Sequence, residues 1–195
     1  YNYADVLSIA NPDRALAYDA GTAILRANNL NLEGDFSNNH TAGYFGGALD
    51  ISSENIYIAP TGATAPSNYL MIEDSDLAGL QLESVMLGGS RSVSNNVTSY
   101  TIVASNIELA DNVSIDLPEL ILVAEDELSI ADNVTLTSSS TANKQASLQL
   151  AADGNILLLS GVTDWRYSLD ENFAYSATTQ LTVGNSFSAN FDQSL

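Results

Sequence analysis

One segment of this chain is written twice. Leu109-Ala110-Asp111-Asn112-Val113-Ser114-Ile115 returns as Ile130-Ala131-Asp132-Asn133-Val134-Thr135-Leu136, shifted by 21 residues. The match extends backwards, with Ile107 corresponding to Leu128, and forwards in looser form, with Leu148, Leu150, Asp153, Ile156 and Leu158 continuing it at offsets of 20 to 22. Each copy has the same internal grammar. Two apolar residues sit two apart, which gives a short strand with one inward face; a polar corner turns the chain; a second apolar pair follows. Leu120 to Val123 supply a third strand before Glu125-Asp126-Glu127. Three short strands and three corners in about 21 residues describe one coil of a parallel β-helix, where each residue stacks on its own copy one coil away. An antiparallel β-sandwich also gives short alternating strands, but nothing in it demands near-identical copies at a fixed spacing. The expected fold is therefore all-β: a right-handed parallel β-helix of about 21 residues per coil with inserted loops, residues 1–195 forming a single segment of a longer chain.

The first half follows the same grammar with less identity. Ala23 and Leu25 precede Leu30 and Leu32, Leu49 and Ile51 precede Ile56 and Ile58, and Leu70 and Ile72 precede Asp74-Ser75-Asp76. Residues 34–48 and 59–68 are polar, Gly-rich or Pro-containing and read as loops that leave the coil and return. From Trp165 to the last residue, 195, the chain is richer in aromatics, with Tyr167, Phe173, Tyr175, Phe187 and Phe191. That region either continues the coils or covers their open end.

Composition narrows what such a fold can do. Acidic residues number 24 against five Lys plus Arg, for a formal net charge of -19. A nucleic-acid surface needs clustered cations to neutralise phosphates, so nucleic acid is excluded as a partner. There is no cysteine and a single histidine, His40, which removes thiol chemistry, Cys-ligated metal and multi-histidine metal sites. No run of apolar residues reaches the length of a membrane span, so no membrane insertion is expected, and no signal peptide is visible at Tyr1.

Residues 77–92 add a resemblance. Ser84-Val85-Met86-Leu87-Gly88-Gly89-Ser90-Arg91, followed by Val103-Ala104-Ser105-Asn106-Ile107-Glu108-Leu109, Pro118-Glu119-Leu120-Ile121-Leu122 and Ala152-Asp153-Gly154-Asn155-Ile156, resembles large bacterial exoproteins of the filamentous haemagglutinin type over roughly residues 70 to 160. The resemblance implies a secreted or cell-surface bacterial adhesin with a β-helical shaft. Its partners would be a host-cell or bacterial surface protein or polysaccharide, and an outer-membrane exporter of the two-partner kind would serve the full-length protein. The family's export domain carries Asn-Pro-Asn motifs; Asn11-Pro12-Asp13 matches one only in part, so the resemblance makes this chain an internal or distal segment.

The expected function is a non-catalytic structural or binding segment of an adhesin, with no catalytic residues and no cofactor. The alternative is a polysaccharide-degrading β-helix enzyme, lyase or hydrolase, using paired carboxylates. Tyr44-Phe45, beside His40 in a Gly-rich loop, is the candidate binding surface, because an exposed aromatic pair can stack on a sugar or protein partner. Asp111 and Asp132 fall one coil apart and are the candidate metal ligands. Like charges one strand spacing apart call either for a cation such as Ca²⁺ or for backbone N–H groups that each Asp caps. The absence of the Gly-Asp nonapeptide repeat favours capping. Glu73 to Asp76 and Glu125 to Glu127 read as solvated corners, Arg91 as a pin against nearby carboxylates, and Asn39, Asn96, Asn112 and Asn133 as N-glycosylation sequons.

Overall fold

A computed structural model describes residues 20–30, 32, 36, 45–94, 97–140, 144–150, 154–169 and 180–193. In chain order these form β1 (Thr22–Arg26), β2 (Ala48–Ser52), β3 (Asn55–Ala59), β4 (Leu70–Glu73), α1 (Asp74–Gly79), β5 (Ser84–Leu87), β6 (Gly89–Ser94), β7 (Val97–Ile102), β8 (Asn106–Leu109) and β9 (Ser114–Asp116). There follow β10 (Glu119–Ala124), β11 (Glu127–Ile130), β12 (Thr135–Ser140), β13 (Lys144–Leu150), β14 (Asn155–Ser160), β15 (Thr163–Leu169), β16 (Gln180–Val183) and β17 (Ser188–Gln193). The class is all-β. A first sheet has the order β1-β2-β5-β10-β14, a second β16-β11-β8-β3-β4, a third β17-β12-β9 and a fourth β15-β13-β7-β6. Neighbours are parallel except β10 with β14 and β6 with β7.

The duplicated segment explains the pairing. β8 lies parallel to β11 with Ile107 opposite Leu128 and Leu109 opposite Ile130, and β9 lies parallel to β12 with Ile115 opposite Leu136. Both pairs therefore hold the 21-residue offset in register. Leu109, Val113, Ile115, Ile130, Val134 and Leu136 are all buried. Between Asn106 and Glu127 the chain visits the second, third and first sheets and re-enters the second one strand further along. The apolar residues of successive passes form rows. Leu70, Ile56, Ile107, Leu128 and Leu181 make one row and Ile72, Ile58, Leu109, Ile130 and Val183 another.

The third copy is not where the sequence pattern pointed. Residues 148–158 do not stack on 128–136. β13 pairs with β7 and β15 in the fourth sheet, and β14 runs antiparallel to β10; Asp153 lies outside the described residues. The copy that stacks is residues 180–189, with Leu181 opposite Leu128, Val183 opposite Ile130 and Ala189 opposite Leu136. The reason is burial on two faces. In β14, Leu157 and Leu159 face the main core while Ile156 and Leu158 pack against a second core of Met86, Tyr100, Ile121 and Val123. A strand covered on both sides loses the alternation that would reveal its direction and partners.

That second core exists because β6 and β7 fold over the outer face of the first sheet, and Gly88 makes this fold possible. Its φ is +94°, and a Cβ there would run into the carbonyl oxygen of Val123. The chain can thus turn from β5 directly into β6. The expected loop at 59–68 runs from Pro60 to Tyr69, tied by Ala63 N–H to the Pro60 carbonyl at 3.1 Å and by Gly62 N–H to Glu73 Oε1 at 3.1 Å. Of the expected loop at 34–48, residues 36 and 45–47 are described and Ala48 already belongs to β2. The Asp74-Ser75-Asp76 corner is the start of α1, whose Leu77 is buried. Phe173 and Tyr175 lie outside the described residues. No helix among the described residues is long and apolar enough to cross a membrane.

Candidate functional site

Three groups of residues gather chemistry. The most buried lies between the first sheet and β6. Asp50 sits mid-strand in β2 with Leu49 and Ile51 on either side; those two face the main core, so the carboxylate points to the other face. Arg91 meets it twice: its backbone N–H and its Nε each donate to the carboxylate at 2.7 Å. Arg91 Nη1 also donates to Ser84 Oγ at 2.7 Å and lies 3.8 Å from Glu119 Oε1. Glu119 accepts from Ser84 Oγ at 2.6 Å and from Ser160 Oγ at 2.7 Å. Burial raises the Asp50 pKa above its ordinary value, and the nearby Arg91 charge and hydrogen bonds pull the other way. The Tyr100 hydroxyl is also pushed up, by burial first and the Glu119 charge second. This is a buried clamp fastening β6 across β2, β5, β10 and β14. Arg91 acts as the pin expected of it, but from a strand rather than a loop.

The second group is the pair of candidate metal ligands. Asp111 and Asp132 are exposed and bonded across layers. Asp111 Oδ1 accepts the Asp132 N–H at 3.0 Å, and Asp132 Oδ1 accepts the Asn185 N–H at 2.6 Å. The residue after each turns left-handed: Asn112 at φ 63°, Asn133 at 58°, Ser186 at 57°. The repeated Asp-Asn therefore has a local cause. Asp satisfies the next layer's N–H, and Asn tolerates positive φ better than most side chains. Among the described residues no group of three or more His, Cys, Asp or Glu side chains is placed to hold a metal ion. Glu73 and Asp74 play the same part as acceptors, Asp74 Oδ2 taking the Ser114 N–H at 3.1 Å. The sequons at Asn112 and Asn133 occupy these exposed turns, while Asn39 and Asn96 lie outside the described residues.

The third group is the outer face of the second sheet. Register places Asn55, Asn106, Glu127 and Gln180 in one row and Met71, Tyr57, Glu108, Ser129 and Thr182 in the next. Tyr57 and Tyr69 meet edge to face, ring centroids 6.2 Å apart at 81°. Asn106 Nδ2 donates to Asn55 Oδ1 at 2.8 Å. Glu108 is raised above its ordinary pKa by burial first and by the Glu127 charge second. Both tyrosine hydroxyls are raised too, by burial first and then by Glu108. Gln180 and Thr182 are exposed and the others half-buried, so the face is reachable from solvent. Of the candidate binding pair, Phe45 is 36% exposed and its carbonyl accepts the Ala20 N–H at 3.0 Å; Tyr44 and His40 lie outside the described residues.

Sequence reasoning marked Arg91 as a pin but not its partners Asp50 and Glu119, and it overlooked this face. A lone Asp between Leu49 and Ile51, and a Glu opening the apolar run 120–123, were the available signs of a polar group needing a buried partner. Comparison with known proteins adds nothing further: the chain matches no protein-family model, no curated protein and no solved structure.

Proposed function

We propose that this chain is a non-catalytic segment of a secreted bacterial adhesin, built as a right-handed parallel β-helix, that attaches to cells or surface glycans. The observation that carries the reading is the in-register parallel stacking of residues 106–116 on 127–137 at one offset in two separate sheets. A chain built by stacking passes is extended along one axis, which suits a spacer that presents side surfaces. The resemblance of residues 70–160 to filamentous haemagglutinin-type exoproteins points the same way. Attachment through Phe45 and its neighbour Tyr44, or through the Pro60–Tyr69 loop, belongs to this reading, as do the outer-membrane exporter and the surface location.

One observation favours the second reading, a polysaccharide-degrading enzyme. Glu108 and Glu127 lie on neighbouring strands of an accessible face, two residues out of register, and Glu108 is more readily protonated than an ordinary Glu. The test uses beads coated with the purified chain, presented to bacterial and host cells, with the same protein incubated with acidic and neutral polysaccharides. Attachment without any shortening of the polysaccharides is expected. Turnover abolished by Glu108→Gln would replace the adhesin reading with the enzymatic one, and no attachment to any cell would refute the binding role.

A further inference from the structure

The outer face of the second sheet combines three properties that a general acidic surface does not. It carries aromatic rings: Tyr57 and Tyr69 stand in a fixed edge-to-face pair. It carries two carboxylates one strand apart, Glu108 and Glu127, and no Lys or Arg occurs on any of its five strands. Beside them it offers uncharged hydrogen-bonding groups on the neighbouring strands, Asn106 opposite Glu127 and Ser129 opposite Glu108. Resting on the reading of this chain as an adhesin, we infer that this face binds an amine-bearing polysaccharide, a polymer of unacetylated amino sugars, with pyranose rings against the tyrosines and ammonium groups at Glu108 and Glu127.

Charge complementarity selects the ligand class. A cation placed between Glu108 and Glu127 relieves the repulsion that, together with burial, raises the Glu108 pKa. The tyrosine rings attract a cation through their faces and offer apolar surface to the C–H side of a sugar. Uronate polymers carry the wrong sign. A basic peptide satisfies the charge but not the rest. The backbone groups of the three inner strands, β3, β8 and β11, are already committed to neighbours on both sides, so the face offers side chains and no ladder for an extended peptide to join. A hydroxyl-rich chain can use the Asn and Ser groups that a lysine run leaves unmatched.

The experiment is calorimetric titration of the whole chain, at about pH 6 so that the amines are cationic, with a glucosamine hexamer, its N-acetylated counterpart, a hexagalacturonate and hexalysine. The glucosamine hexamer should bind at least about tenfold more tightly than each of the other three. Glu108→Gln with Glu127→Gln should abolish the preference for the free amine, and Tyr57→Ala should weaken the glucosamine hexamer by about tenfold or more. Because a chain of net charge -19 attracts any polycation, the control is Glu125→Gln with Asp126→Asn, which removes as much charge from an exposed corner and should leave binding unchanged. Far-UV circular dichroism and melting curves confirm that every variant is folded. Hexalysine binding as tightly as the glucosamine hexamer, or the corner variant losing as much as the face variant, overturns the inference. Attachment of coated beads to cells, measured on the same preparations, separates the two claims. Attachment that persists in the face variants while no titration shows binding overturns this inference alone, and loss of attachment by the unmodified chain overturns the adhesin reading as well.

Discussion

Asp50 and Glu119 share one guanidinium, and neither carboxylate has water to fall back on. Arg91→Met therefore leaves buried negative charge uncompensated and is expected to cost about 3–5 kcal/mol, read from the urea midpoint. The double variant Asp50→Leu, Arg91→Met removes Arg91 together with the carboxylate it bonds directly, leaves Glu119 to the Ser84 and Ser160 hydroxyls, and should recover part of that loss. The same site fixes the sign of a pH effect. Burial outweighs Arg91, so the folded-state pKa of Asp50 lies above its ordinary 3.8, and Glu108 lies above its ordinary 4.5. Between each ordinary value and its raised value the folded chain holds a proton that the unfolded chain has released. The stability these groups contribute is complete below the ordinary values and is lost as pH rises through the raised ones. The urea midpoint should accordingly be higher at about pH 5 than at pH 7, and the difference should shrink in Asp50→Asn with Glu108→Gln. A midpoint that falls on acidification to pH 5, or a difference unchanged by the double variant, would assign the pH dependence to other groups.

Stacked elements divide into apolar rows, buried from β4 to β11 and exposed at Leu181 and Val183, and exposed corners, and substitutions should divide the same way. Val134 is fully buried beside the Asp-Asn turn, so Val134→Asp should cost more than about 3 kcal/mol. Two residues earlier, Asp132→Asn keeps an oxygen to accept the Asn185 N–H and should change stability by under about 0.5 kcal/mol; equal midpoints for the two variants would contradict the assignment of rows and corners. These differences also explain what the sequence made legible. β8, β9, β11 and β12 each have one buried and one wet face, so their alternation and their 21-residue duplication are visible as text. β10 and β14 are covered on both sides, and their apolar runs say nothing about direction. The third corner keeps its geometry with different letters: Asn185 takes the place of Asp132 and Ser186 that of Asn133 at the same positive φ, across an offset of 53 residues. The outer face of the second sheet was hidden for a related reason. Its rows join Asn55 to Asn106 and Tyr57 to Glu108, residues about fifty apart in sequence, which no local period marks.

At the scale of the molecule, a net charge of -19 works against compactness, and salt should raise the melting temperature by screening it. Because Asp111 and Asp132 are engaged with backbone N–H groups, millimolar Ca²⁺ at matched ionic strength should add less than about 2 °C to that rise. A gain of about 8 °C or more, removed by Asp132→Asn, would reveal a bound ion instead. The proposed role as a glycan-facing shaft rests on one premise: residues one pass apart lie side by side in register. The chain has no cysteine, so engineered pairs can test this directly. Glu108→Cys with Ser129→Cys, and Asp116→Cys with Thr137→Cys, place thiols on register partners one strand spacing, about 4.8 Å, apart. Tyr57→Cys with Ser129→Cys places them two spacings apart, about 9.6 Å, beyond the separation of about 7 Å that a disulfide can bridge. Under mild oxidation the first two pairs should close intramolecular disulfides, seen by mass and gel mobility, and the third should remain reduced. Closure of the third pair, or failure of both register pairs in chains that melt like the unmodified protein, would contradict the stacked fold.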